Sequence, residues 1–267
     1  MIMETLRNRV TVEFRQHLAI VSLSREEKYN GLDLDMMYAL IDAAKLIRRQ
    51  RDVRAVILRG DGKAFCAGLD FATVMRKPAG ILLAFLPWLR KDNVFQRMCL
   101  VWRDLPVPVI AVTHGYCFGG GMQLALACDF RFSTPDCQFS IMEIQWGLIP
   151  DMSASVTLRE LVAADVAMEL TMTGRKFDAS EAKSLGLISA VATDPMPAAE
   201  ALAAQIAERS PHAISAAKRL FRSTGQSSER GALARERRLQ LALLLGGNQR
   251  EAMRANFEKR PPVFRPR

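Results

Sequence analysis

The spacing of apolar positions changes several times along the chain, and each change predicts an element. RVTVEF (residues 9–14) alternates and LAIVSLS (18–24) is almost solidly apolar, a pair that reads as a hairpin of strands. LDLDMMYALIDAAKLIRRQ (32–50) has helical spacing, with its basic residues near the C-terminal end, where they suit the helix dipole. VRAVILRG (53–60) reads as a buried strand, followed by the turn DGKAFCAGLD. From Phe71 to Leu105 the chain is helix-prone, interrupted by Pro78 and Pro87. A strand at 109–113 is then predicted, with a glycine turn that opens an apolar helix.

CDFRFST (128–134) and QFS (138–140) read as strands, with helices beginning near Met152. DASEAKSLG (178–186) offers Asp178 as N-cap, Glu181 three residues on and Gly186 as the C-terminal signal of a short helix, and ISAVA closes the strand set. From about residue 198 to 259 the pattern is helical throughout, including SPHAISAAKRLF with Ser210 as N-cap and Pro211 at the first position. RPPVFRPR cannot continue a helix. The expectation is an α/β body over residues 1–197 and a helical region over 198–267. LQLALLL (239–245) is more apolar than a surface helix requires and predicts burial against the body or another subunit.

Composition narrows the class. A chain of 267 residues, 49% hydrophobic and 24% charged, suits one sizeable globular domain with an appendage. No apolar run reaches the roughly 18–20 residues of a membrane span. MIMETLRNRVTVEF passes straight into strand-like alternation without a secretory core, so retention in the cytoplasm is the expectation. The 5 cysteines (Cys66, Cys99, Cys117, Cys128, Cys137) show no CxxC pair and read as reduced and structural. The 3 histidines are dispersed, so no metal site is expected. A net charge of +9 leaves nucleic acid open as a partner, but the basic residues are interleaved with acids, as in RERR at 235–238. A small polyanionic ligand fits this charge better.

Two turns carry the candidate chemistry. In KAFCAGLD, Gly68 permits a tight turn that exposes the Leu69 amide. In GYCFGGGMQ, the glycines permit close backbone approach and set the Gly120 amide at a helix N-terminus, where an anion is favoured. Two such amides converging on one oxygen form an oxyanion hole.

These turns, with TVEF…AIVSLSREEKYNGL, VRAVILRGDGKAFCAGLD, PVIAVTHGYCFGGGMQLALACDF, QFSIMEIQWGLIPD, LTMTGRKFDASEAKSLGLISAV and NFEKRPPVF, resemble the crotonase (enoyl-CoA hydratase/isomerase) superfamily over nearly the whole chain. The resemblance implies a spiral of β-β-α units, a homotrimer or dimer of trimers without membrane association, and an acyl-CoA thioester substrate. Coenzyme A would enter as part of the substrate, with no prosthetic group. The Leu69 and Gly120 amides would hold the thioester oxygen as it becomes an enolate.

Carboxylates select the reaction. The family's hydratases place one acid at the position of Gln123 and another at that of Glu143, but an amide cannot exchange a proton at neutral pH. Glu143 and Asp151, eight residues apart, match the Glu and Asp that the family's dienoyl-CoA isomerases place on either side of the substrate. The resemblance therefore implies an isomerase with Glu143 as base, Asp151 as second proton carrier and Gln123 as polar orienter. A hydratase using Glu143 and Asp151, and a non-catalytic RNA-binding or scaffold member, are the alternatives. Asp151 also fits an N-cap of the following helix.

For coenzyme A, position-matching points to Lys28, to Ala67 and Asp70 beside the first turn, and to Lys259. Glu26 and Gly31 depart from the proline and alanine usual in that segment. His114, Trp146 and Arg175 read as scaffold, and ILLAFLPWL (81–89) as acyl-pocket lining or core.

Overall fold

A computed structural model describes residues 2–74, 78–86, 91–225 and 227–267. Ten strands and twelve α-helices are found among them. The chain opens with β1 (Ile2–Leu6), β2 (Val10–Arg15) and β3 (Leu18–Leu23), then α1 (Leu34–Arg49) and β4 (Ala55–Gly60). Three helices follow, α2 (Phe71–Val74), α3 (Pro78–Phe85) and α4 (Val94–Arg103). Next come β5 (Val109–Thr113), β6 (Tyr116–Phe118), α5 (Gly120–Ala127), β7 (Phe130–Ser133) and β8 (Gln138–Ser140). After a 3-10 turn at Glu143–Trp146 come α6 (Ala154–Thr157), α7 (Ala164–Thr173), β9 (Phe177–Asp178), α8 (Ala179–Ser184) and β10 (Ala190–Val191). Four helices complete the chain: α9 (Pro195–Ala207), α10 (Pro211–Thr224), α11 (Glu229–Leu244) and α12 (Gly247–Glu258).

A seven-stranded sheet in the order β1-β2-β3-β4-β5-β7-β10 is antiparallel at its β1–β3 end and parallel from β3 onward. A second, three-stranded sheet runs β6-β8-β9. Successive turns of the spiral therefore send one strand to each sheet: β5 then β6, β7 then β8. The α/β spiral expected from the motifs is the fold observed.

Strand periodicity explains the layers. Val56 and Leu58 of β4 join Val109 and Ala111 of β5 in the main core, with Met37, Leu40 and Ile47 of α1. The intervening Ala55, Ile57, Ile110 and Val112 face the other way and meet Ala199 and Ala203 of α9. At roughly 1.5–3 kcal/mol for each large buried side chain, both faces contribute to stability. The expected boundary at residues 197 and 198 thus falls inside α9, which closes the second face of the sheet.

Several boundaries differ from the sequence expectation for local reasons. Pro78 starts α3 rather than only interrupting a helix, since its missing N–H is unpaired there anyway. Pro87 and the end of the ILLAFLPWL segment (87–89) lie outside the described residues. Asp178 and Ser210 cap as expected, accepting from the Glu181 and Ala213 amides, and Gly186 follows α8 with φ of +80°. Leu239 of α11 is buried, whereas Leu241 and Leu245 are 62% and 82% exposed, so the body covers only part of LQLALLL. All five cysteines are free and buried, and burial pushes the Cys66 thiol up to about 12. No helix among the described residues is long and apolar enough to cross a membrane.

Candidate active site

The two glycine turns meet. Cys66 and Cys117 pair as a parallel bridge, the Cys66 amide donating to the Tyr116 carbonyl (2.9 Å) and the Phe118 amide to the Cys66 carbonyl (3.0 Å). Gly68, at φ +93°, sits so close that a Cβ there would lie 2.9 Å from the Phe118 carbonyl oxygen. Leu32 bridges the same turn, donating to Gly68 O (2.8 Å) and accepting from Asp70 N (3.0 Å), which turns the Leu69 amide away from that ladder. Neither the Leu69 nor the Gly120 N–H has a backbone acceptor among the described residues, and Gly120 is the first residue of α5.

Gly119 brings the backbone against Glu143. Its φ of 49° and ψ of −121° suit only glycine, and a Cβ would stand 3.2 Å from Glu143 Oε1. The sequence shows three consecutive glycines but not which of them adopts the left-handed backbone.

Gln123 is fully buried in α5 and connects three segments. Its Oε1 accepts from the Met152 amide (2.8 Å) and the Ala154 amide (3.1 Å), while Nε2 donates to Glu143 Oε1 (2.7 Å). Glu143 is only 9% exposed, and its second oxygen, Oε2, is buried without a partner among the described residues. Burial chiefly, with the charge of Asp151, raises the Glu143 carboxyl above the ordinary glutamate value, against the opposing bond from Gln123. An unpaired carboxylate oxygen held up in pKa is suited to accept a proton.

Asp151 is also raised, by burial. It does not cap the following helix: α6 starts at Ala154, its N-cap is Ser153 at φ +84°, and no side chain caps it. The amides that a cap would satisfy are partly taken by Gln123 instead. The capping alternative for Asp151 is corrected accordingly.

Lys28 is exposed in a short 3-10 turn (Glu26–Lys28), and the Ala67 amide donates to Tyr29 O (2.9 Å), so these two candidate coenzyme A contacts are neighbours. Asp70 has a defined structural task. It accepts from the Thr73 amide and hydroxyl and pairs with buried Arg25 at 2.8 Å. Burial pushes its carboxyl up, but these hydrogen bonds and the guanidinium hold it below the usual range. Buried Asn30 ties this loop to β4, accepting from Arg25 N and donating to Asp61 O and Ala64 O. Arg25 and Asn30 are thus structural partners of the site that residue pattern alone does not reveal.

Lys259 is not brought to the turns within this chain. It follows α12, and Pro261, Pro262 and Phe264 beyond it line a pocket with Arg15 and His17 at the β2–β3 turn and Arg54 before β4, the end of the sheet opposite the Gly60 end of β4. His114 bonds Gly62 O, Arg175 pairs with Glu169 and Glu181, and Trp146 stacks on Phe71 at 4.4 Å while staying 59% exposed.

Residues 13–267 match the family described as enoyl-CoA hydratase/isomerase. The mouse mitochondrial "Delta(3,5)-Delta(2,4)-dienoyl-CoA isomerase" is 36% identical over 213 residues, 76% of this chain and 65% of that protein, so the chain spans just under two thirds of the mouse protein's length. The Mycobacterium leprae protein "Probable enoyl-CoA hydratase echA8" is 33% identical over 260 residues, covering 96% of this chain and 97% of that one. The solved enoyl-CoA hydratase of Bacillus anthracis superposes with a TM-score of 0.88 at 29% identity, over 96% of this chain and 98% of that chain. A family match over nearly the full length, on a spiral whose two glycine turns converge beside a buried glutamate, settles the kinship: the chain belongs to the enoyl-CoA hydratase/isomerase family.

Proposed function

We propose that this protein is an acyl-CoA isomerase that moves double bonds of an enoyl- or dienoyl-CoA through a thioester enolate. The Leu69 and Gly120 amides bind the thioester oxygen, and Glu143 Oε2 removes a proton from the adjacent carbon. One such amide donor contributes on the order of 10²–10³ in rate, because it is already oriented where charge develops. Asp151 returns a proton further along the chain, and Gln123 orients Glu143 without titrating. The observation that carries this reading is the Gln123–Glu143 bond, which leaves one base and no second glutamate beside it.

Coenzyme A lies along Lys28 and Ala67 in this reading, with Asp70 supporting the turn from behind. Lys259 contributes only if it comes from a second subunit. Assembly as a homotrimer or dimer of trimers is supported by the exposed apolar strip of α11 and α12, where Leu241, Leu245 and Phe257 stand open.

Hydration is the second reading, favoured by the relatives that carry hydratase names. Incubation with 3-enoyl-CoA, a dienoyl-CoA and 2-enoyl-CoA separates the two. Bond migration without 3-hydroxyacyl-CoA supports the isomerase; fast 3-hydroxyacyl-CoA formation with no migration overturns it. Asp151→Asn is expected to slow isomerisation by roughly 10²-fold or more, in the range of a lost acid–base group.

A further inference from the structure

At the end of α5 away from Gly120, cations outnumber the acids they face. A cavity of about 790 Å³ lies there, where α10 packs over the C-terminal ends of α4 and α5 and the start of β7. Leu69, Gly120, Glu143 and Asp151 do not line it. Five cations do, Arg103, Arg131, Arg159, Lys218 and Arg222, against two acids, Asp129 and Glu160. Both acids are already taken. Asp129 accepts from the Val109 amide (2.8 Å) and pairs with Lys218 and Arg222, each at 2.7 Å. Glu160 pairs with Arg103 and, at 3.9 Å, with Arg222.

Five charges against two leave three positive charges without a counter-charge. Arg131 is 5% exposed, and among the described residues its guanidinium donates only to the Leu187 and Cys128 carbonyls, at 2.6 and 2.7 Å. Burial holds it below the ordinary arginine value. The Arg103 side chain is 10% exposed, and its Nη1 is buried with no partner among the described residues. Taking net charge out of water is costly unless an opposite charge comes with it. The remaining walls are mostly apolar, with Leu126, Phe130, Ile206 and Ile214 inside and exposed Phe221 at the mouth. The volume is that of a small-molecule site, and an occupant that satisfies both halves has one anionic head and an apolar body.

We propose that this cavity binds a free aliphatic monocarboxylate, its head among the unneutralised guanidinium groups and its chain against the apolar walls, at a site separate from the two glycine turns. Guanidinium groups pair with carboxylates through two parallel hydrogen bonds, and Arg103 and Arg131 are already held in place by their other contacts. The site stands whether or not the protein is an isomerase.

Calorimetric titration of the full-length protein with octanoate tests this, beside acetate, inorganic phosphate and octanol. Octanoate is expected to bind at least tenfold more tightly than acetate or phosphate, which lack the chain, and than octanol, which lacks the charge. Arg159→Ala and Ala217→Trp, both at exposed positions lining this cavity, tie the binding to it. The first removes a cation and the second fills the space. Each is expected to weaken octanoate about tenfold, the scale of one charge-assisted hydrogen bond, with the circular dichroism spectrum of the parent retained. Absence of octanoate binding overturns the proposal. So does octanol or phosphate binding as tightly as octanoate, or undiminished octanoate binding in both folded variants.

Discussion

Gln123 holds Glu143 by one oxygen only: Nε2 donates to Oε1 at 2.7 Å, and Oε2 stays buried and unpaired. Two backbone amides on the far side of Gln123 fix which end of its side chain is oxygen, since only an acceptor satisfies both Met152 N and Ala154 N. The amide thereby positions the proposed base without adding a second one. For Glu143→Gln, kcat is expected to fall by roughly 10²–10⁴, the range of a general base, with coenzyme A affinity nearly unchanged by calorimetry.

Gln123→Glu places a second carboxylate against Glu143 Oε1. Its oxygens still accept from Met152 N and Ala154 N, but two ionised carboxylates at 2.7 Å repel, so the pair must share a proton. The variant is expected to gain measurable hydration of 2-enoyl-CoA and lose isomerase rate. A folded variant with no hydratase gain disproves the idea that the missing acid is what withholds hydration.

The raised carboxyls set the pH profile. Glu143 must be ionised to act, so the rate falls as pH drops through its raised pKa, above the ordinary 4.5. Asp151 must be protonated to give a proton, so the rate falls as pH rises through its own value, above the ordinary 3.8. A bell shifted upward from the usual carboxylate range is expected in kcat, with the alkaline limb absent in Asp151→Asn.

The same shift acts on stability with a defined sign. A carboxyl whose folded pKa is raised binds protons more tightly in the folded state. Its stabilising contribution is complete below the ordinary value of 4.5 and is lost as pH rises through the raised value. Glu143→Gln is therefore expected to unfold at a higher temperature than the parent near neutral pH, with the difference shrinking in acid. Thermal unfolding across pH measures it.

Gly119→Ala tests the turn. The left-handed backbone and the 3.2 Å approach to Glu143 Oε1 both oppose a methyl group. A loss of about 1–3 kcal/mol in denaturant unfolding is expected from the strained backbone. The loss of activity should exceed it, because the displaced carboxylate is the proposed base.

Much of this architecture was legible in the sequence, because short, mostly apolar runs such as VILRG and VIAVT, bounded by turn residues, read as strands. β6 was not legible. Only three residues long, it sits between Gly115 and Gly119, so Tyr116–Phe118 reads as part of a turn until Cys66 is seen pairing with it. Around the site, Glu143 and Gln123 were marked by motif position, but the contact between them joins residues twenty apart in sequence and depends on how α5 is buried. The role of Asp151 was ambiguous because an aspartate before a helix reads as a cap; only the amide bonds to Gln123 reveal that the cap position belongs elsewhere.

The pairing of Arg25 with Asp70 makes one unit of two stretches with different tasks. In the proposed isomerase the stretch around Lys28 would read the distant handle of the substrate, and the one ending at Leu69 would grip its reacting carbonyl. Locked through a buried ion pair, the two cannot settle independently, so filling the handle's berth would also tune the aim of the amide. A thioester trimmed to a short mimic of the handle should then react slowly even when saturating.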